Sequence, residues 1–246
     1  MIKFPSQVMF LGDIHGNQRA IIIAIKKAVE HNIKYIIQLG DMGVYMLHPS
    51  IQSMLMRNDI HLYFIGGNHE NWDELDCYAI SGELETSPHI HYMPTGTEFT
   101  IGELTGIVAG GAISIDQADR IEGQDWFVQE GISHMESEML KKAGFHDIIL
   151  SHDCPASVNM PPECTPLSMA EFFGEEAIYK CQEHRELLDD IIKEINPQFI
   201  FHGHYHHYYT LWCAEYFGCQ VTGLNMEMRQ GSALLFDATT EMRIIV

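Results

Sequence analysis

Aspartate, histidine and asparagine recur in short clusters along this chain: Asp13-Ile14-His15, Gly40-Asp41, Gly67-Asn68-His69-Glu70, Ser151-His152-Asp153 and Gly203-His204-Tyr205-His206. They offer carboxylate, imidazole and amide donors and no thiolate. That mix suits Mn²⁺, Fe or Zn²⁺ and disfavours an all-cysteine structural zinc site. In an extended segment residues i and i+2 point the same way. Asp13 and His15 can therefore reach one cation, and His204 and His206 can do so too, or each can serve a different one. Two cations about 3.5–4 Å apart need a shared ligand, and an aspartate can bridge with its two oxygens. A lone Asp-x-His or Gly-Asp is most often a turn or a cap. Five such clusters, each after a predicted strand, leave little room for coincidence.

The elements that must position them can be read from hydrophobic runs and their stops. Val8-Met9-Phe10-Leu11, halted by Gly12, predicts a buried strand. Asn17 is a plausible N-cap for a helix to about residue 32 that carries Ala20, Ile21, Ala24, Ile25, Ala28 and Val29. A strand over 35–39, a helix near 48–56 and a strand over 61–65 follow. That alternation is the signature of an α/β sheet with helices on its faces. Farther on, 98–101 and 104–109 predict a hairpin around Gly102-Glu103. Residues 110–133 read as loop, 134–143 as helix and 147–151 as strand. Four prolines make 154–166 irregular. A helix over 175–195 ends at Asn196-Pro197, and strands are expected at 198–201, 208–215, 217–222, 233–237 and 242–246. The ligand-type residues thus fall at the carboxyl ends of strands, where α/β sheets bind ligands. The adjacent glycines let the backbone turn sharply there.

With 246 residues, the chain is long enough for a core without disulfide staples. Lys plus Arg is 14 against 34 Asp plus Glu, a net charge of -20. Coating duplex nucleic acid requires a basic surface, so the balance argues against that partner. A small phosphorylated substrate stays compatible, because bound cations reverse the field locally. The six cysteines form no C-x-x-C pair, the N-terminus has no long apolar stretch, and no apolar run approaches the ~18–20 residues that span a bilayer. The expectation is a soluble cytoplasmic protein with reduced thiols and no membrane partner.

The ordered pattern Asp-x-His, Gly-Asp, Gly-Asn-His-Glu, His and Gly-His-x-His resembles the calcineurin-like metallophosphoesterases, over residues 13 to 206. The resemblance implies one such domain over 1–246, an α/β fold of four αββα layers in which helices flank two mixed β-sheets. It implies two divalent cations at the sheet edge, Mn²⁺ first and Fe or Zn²⁺ as alternatives. Asp13, His15 and His206 would hold one, Asn68, His152 and His204 the other, and Asp41 would bridge. His69 matches the family's catalytic histidine. The implied function is hydrolysis of a phosphomonoester or phosphodiester by a metal-bridging hydroxide, with His69 protonating the leaving oxygen. A nuclease of the same superfamily and a metal-binding scaffold without turnover are the competing readings.

One departure is informative. Gly40-Asp41-Met42-Gly43-Val44 lacks the further residues that protein phosphatases and dinucleoside tetraphosphatases carry after Gly-Asp, which argues against a close protein-phosphatase relative and leaves open which carboxylate orients His69. The segment from Gly110 to Glu130 resembles one common in phage and bacterial members. Its Asp116, Arg120 and Trp126 are candidate substrate contacts, with Arg120 able to grip a phosphate through two hydrogen bonds. The plainer alternatives are Arg120 paired with Asp119 or Glu122 and Trp126 packing its loop. Glu70 and Asp153 are candidate outer residues, Asp153 as an acceptor for a ligating histidine's second nitrogen.

Overall fold

The computed structural model describes residues 1–81, 87–161, 165, 170–213, 218–239 and 242–245. The elements run β1 (Ile2–Phe4), β2 (Gln7–Leu11), α1 (Gln18–Glu30), β3 (Tyr35–Gln38), α2 (Pro49–Asn58), β4 (His61–Phe64), α3 (Trp72–Ser81), β5 (Ile90–Tyr92), β6 (Glu98–Ile101), β7 (Leu104–Ala109), α4 (His134–Lys142), β8 (Ile148–Ser151), α5 (Ala170–Ile195), β9 (Phe199–His202), β10 (Tyr209–Cys213), β11 (Cys219–Gly223), β12 (Ala233–Asp237) and β13 (Met242–Ile244). Two mixed sheets result, in the orders β1-β6-β7-β8-β9-β11-β10 and β13-β12-β2-β3-β4-β5. β2, β3, β4 and β5 are parallel neighbours, as are β7, β8 and β9.

Strand side chains alternate between the faces of a sheet, so a strand buried on both must be apolar throughout. β2 illustrates this. Val8 and Phe10 point between the sheets, where they meet Ile37, Leu39, Val108, Leu150, Phe201 and Phe236. Met9 and Leu11 point outward against Ile21, Ala24 and Ile25 of α1 and Ile51 and Leu55 of α2. The outer face of the other sheet, with Ile107, Ile149, Ile200 and Val221, packs on Leu140 of α4 and on Leu188, Ile191, Ile192 and Ile195 of α5. Four layers follow, helices, sheet, sheet, helices, as the motif resemblance implied.

Local signals worked as expected where they were strong. The Asn17 side chain accepts hydrogen bonds from the Arg19 and Ala20 amides at 3.2 and 3.3 Å, capping α1. β6 and β7 form the hairpin around Gly102-Glu103. α5 is broken at Gly174 (φ 83°), so its regular part begins near the predicted residue 175. β1, α3 and β5 were missed. The two strands have three residues each, and among its described side chains α3 presents Trp72, Leu75 and Tyr78 to the core, too few to show a period. The predicted strands 208–215 and 217–222 and the terminal strand to 246 run partly outside the described residues. No described helix is long and apolar enough to cross a membrane.

Candidate metal centre

Loops from the ends of β2, β3, β4, β8 and β9 meet where the two sheets abut. The Ile14 and His15 amides donate to the Asp41 carbonyl at 3.1 and 2.8 Å, and the Gly203 amide donates to the His152 carbonyl at 3.2 Å. Glycines make this approach feasible. A Cβ on Gly67 would strike the Asp41 carboxylate, and one on Gly203 would strike that of Asp13.

The expected extended geometry of the paired motifs is not what the chain adopts. His15, Asp41, His204 and His206 all have positive φ, at 47°, 59°, 67° and 51°. Left-handed backbone is costly for such residues and concentrates at functional sites. Tight turns, rather than strand alternation, therefore aim these side chains. His204 and His206 diverge as a result. The His206 ring lies 5.1 Å from that of His15, and the His204 ring lies 5.1 Å from that of His152.

Two fully buried aspartates sit at the middle. Asp41 Oδ1 accepts the His69 amide at 2.8 Å and Asp13 Oδ1 accepts the His204 amide at 3.0 Å. Their other oxygens, Oδ2 in each case, have no hydrogen-bond donor although they are buried. What faces them is imidazole nitrogen. Asp13 Oδ2 lies 3.0 Å from His206 Nε2 and 4.0 Å from His15 Nε2. Asp41 Oδ2 lies 3.5 Å from His15 Nε2 and 3.3 Å from His152 Nε2. The outer nitrogens of two of these rings are already committed. His152 Nδ1 donates to the Leu39 carbonyl at 2.7 Å, and His15 Nδ1 donates to Glu227 Oε2 at 3.2 Å. In neutral imidazole, Nε2 is then a lone pair. Lone pairs thus face bare carboxylate oxygens, with Asn68 Oδ1 also 3.2 Å from His152 Nε2. Acceptors converging in this way need either protons on the rings or a cation between them, and the residues fit divalent metal.

The electrostatics point the same way. Burial opposes the charged form of His15, but Asp41 and Asp13 outweigh it and push its pKa up to about 9. Burial is likewise outweighed by Asp41 at His152, which rises to about 10. Burial prevails at His204, which falls to about 4. A pocket whose carboxylates pull protons onto nearby imidazoles also attracts a divalent ion. Asp13, His15 and His206 cluster closely enough to share an ion, and so do His15, Asp41 and His69, and Asp13, Asp41 and His152. Asp41 thus adjoins histidines on both sides.

The outer residues differ partly from expectation. Asp153 accepts from His184 Nδ1 at 2.7 Å, the Tyr205 hydroxyl at 2.6 Å and the Cys154 amide at 2.7 Å. It is the Leu39 carbonyl that holds the His152 ring, so the expected Asp153 contact is replaced by a backbone one. Glu70 accepts from the Met42 and Gly43 amides at 2.5 and 3.2 Å and so braces the turn that carries Asp41. Burial and the nearby Asp41 raise its pKa to about 8. Arg120 pairs with Asp116 at 2.8 Å, not with Asp119 or Glu122, and its Nη2 lies 3.2 Å from His69 Nε2. Trp126 is half-buried with its indole nitrogen turned inward. Burial pushes the Cys154 thiol up to about 12, so it is protonated. Glu227, Ser114 and Glu130 were not foreseen, because none belongs to a spaced motif.

The glycine packing makes a direct prediction. Gly67→Ala places a methyl against Asp41 while leaving every candidate ligand in place. Metal affinity should fall about 10–100-fold, the range seen when groups that orient ligands are lost. Titration with Mn²⁺ checks this; wild-type affinity would mean that the Asp41 carboxylate is not held by the close packing at Gly67.

The family model described as calcineurin-like phosphoesterase matches residues 6–208. No curated protein matches. Among solved structures, a dimetal phosphatase from Danio rerio superposes with a TM-score of 0.60 at 12% identity, covering 97% of this chain and 94% of that one. A protein of Thermus thermophilus, TT1561, superposes with a TM-score of 0.59 at 13% identity, covering 97% of each chain. At such identities the likeness is one of fold.

Proposed function

Because the chain belongs to the calcineurin-like phosphoesterase family, and is thereby a metal-dependent phosphoric ester hydrolase, we propose that residues 1–246 form one catalytic domain acting on a small phosphomonoester or phosphodiester in the cytoplasm. Asp13, His15 and His206 would hold one divalent cation, Asn68, His152 and His204 a second, and Asp41 would bridge, with Mn²⁺ the first choice and Fe or Zn²⁺ the alternatives. The observation that carries this reading is the pair of buried carboxylate oxygens on Asp13 and Asp41 that face histidine nitrogens and no other polar partner. When bound, such cations polarise phosphoryl oxygens and activate water at neutral pH. The chain's own residues do the rest. Leu39 and Glu227 hold His152 and His15 so that Nε2 faces inward. His69, whose amide anchors Asp41, stands beside the centre as the proton donor for the leaving oxygen. The net charge of -20 disfavours a duplex nucleic acid substrate.

The test is a substrate panel with added Mn²⁺: an aryl phosphate, an aryl phosphodiester, cyclic nucleotides and single-stranded DNA. Turnover of a small ester that vanishes with chelator is expected. A protein that binds two ions and turns over nothing would be a scaffold, and hydrolysis confined to DNA would make it a nuclease.

Arg120 is the candidate for gripping substrate. Its side chain is mostly buried and held by Asp116, with Nη1 donating to the Asp125 carbonyl at 3.1 Å, so its guanidinium is already oriented beside His69. Arg120→Ala should lower kcat/KM on the best panel substrate by about 10-fold or more while two ions stay bound, as expected for loss of a charge-assisted hydrogen bond. Unchanged kinetics would reduce Arg120 to a surface ion pair.

A further inference from the structure

Asn68 presents an amide whose two ends are chemically opposite, and only the oxygen can ligate a cation. The orientation in the structure places Oδ1 toward His152 Nε2 at 3.2 Å. Since His152 Nδ1 donates to Leu39, Nε2 of the neutral ring that a cation requires is an acceptor, and that ring by itself does not hold the amide oxygen inward. Something on the far side must therefore set the amide. There, Asn68 Nδ2 donates to Ser114 Oγ at 3.0 Å, and Ser114 Oγ donates to Glu130 Oε2 at 2.7 Å. The Ser114 amide donates to Glu130 Oε1 at 2.7 Å, which fixes the carboxylate from its other oxygen. Asn68, Ser114 and Glu130 are all at most 3% exposed, so water does not compete.

We propose that Glu130 is a positioning residue for the metal centre, acting through the single proton of the Ser114 hydroxyl to hold the Asn68 amide with its oxygen toward the cation. The logic is one of proton count. A carboxylate only accepts, so Ser114 must spend its one proton on Glu130. Its oxygen is then left to accept, and Asn68 must supply N–H to it. The segment that carries Arg120 is thereby tied to the metal centre. The inference rests on the reading of Asn68 as a ligand.

The test uses the 246-residue chain, titrated with Mn²⁺ alone at about pH 8.5, well above the value of about 7 to which burial raises Glu130. Glu130→Gln can donate to Ser114 and reverse the relay. It should weaken one of the two Mn²⁺ sites about 10–100-fold and the other far less. Adding Asn68→Asp should restore that site about tenfold or more, because a carboxylate has an oxygen at either end. In the wild-type background Asn68→Asp should give no such gain, since one hydroxyl proton cannot serve two carboxylates. In a Ser114→Ala background the effect of Asn68→Asp should no longer depend on residue 130, which separates the relay from plain charge repulsion.

Wild-type affinity in folded Glu130→Gln would overturn the proposal. So would an equal effect of Asn68→Asp in both backgrounds, or a coupling that survives loss of the hydroxyl. If Glu130→Gln does not fold, Ser114→Ala alone decides: the amide loses its orienting acceptor, one site should weaken, and Asn68→Asp should recover it. Unweakened binding in Ser114→Ala would overturn the relay. Asn68→Ala separates the two levels. If it loses one ion while the relay variants lose none, only the relay fails. If it keeps both ions, the ligand reading fails and takes the relay with it.

Discussion

Replacing Asp41 with asparagine should remove bound metal and turnover together while leaving the fold intact. Asp41 Oδ1 accepts the His69 amide, and an asparagine oxygen can keep that bond. The nitrogen would then replace Oδ2 between His15 and His152 and donate to their lone pairs. The variant would fill the centre with donors from its own side chain, where a cation needs acceptors. The expected losses therefore exceed the roughly 10–100-fold that outer partners of a metal site contribute. Asp13→Asn, whose Oδ2 faces His206 and, more distantly, His15, should mainly affect one ion. Metal analysis with a thermal melt decides. Two bound ions and normal turnover in Asp41→Asn would exclude a bridging role.

His69→Asn should separate substrates by their leaving groups. An alkoxide is strongly basic and needs a proton to depart, whereas a nitrophenolate leaves unassisted. If His69 is the acid, an alkyl or sugar phosphate should lose about 10²-fold more rate than nitrophenyl phosphate. Burial lowers the His69 pKa against the pull of Asp41, and Arg120 lowers it further, so its conjugate acid is scarcer at neutral pH but a stronger donor. Metal content should persist, because the contact between residue 69 and Asp41 runs through the backbone amide. Equal losses on both substrates, with two ions bound, would instead assign His69 to electrostatic support of the phosphoryl group.

The hydrophobic runs sufficed for the α/β class. The short sequence motifs sufficed for the family and for which residues gather at the strand ends. Val8 to Leu11 is continuously apolar because both faces of β2 are covered, and that requirement is written locally. So is the Asn17 cap, since a cap bonds to amides two or three residues away. β1 and β5 left no trace, because three residues cannot display an alternation.

The geometry of the centre was beyond local reading. The spacing of Asp13 and His15 suggested an extended segment, yet His15, His204 and His206 turn through positive φ. Those conformations are imposed by loops hydrogen-bonding to one another, such as the Ile14 and His15 amides on the Asp41 carbonyl. Glu227 reaches His15 across 212 positions, and Ser114 reaches Asn68 across 46. Contacts of that kind have no period and no fixed spacing, so nothing in the sequence around either residue marks its partner. Motif chemistry was sufficient to nominate Asp13 and Asp41 as ligands. Which oxygen of each stays bare depends on where the His204 and His69 amides arrive. Packing of the two sheets sets that position, because it brings the loop ends of both together at one edge.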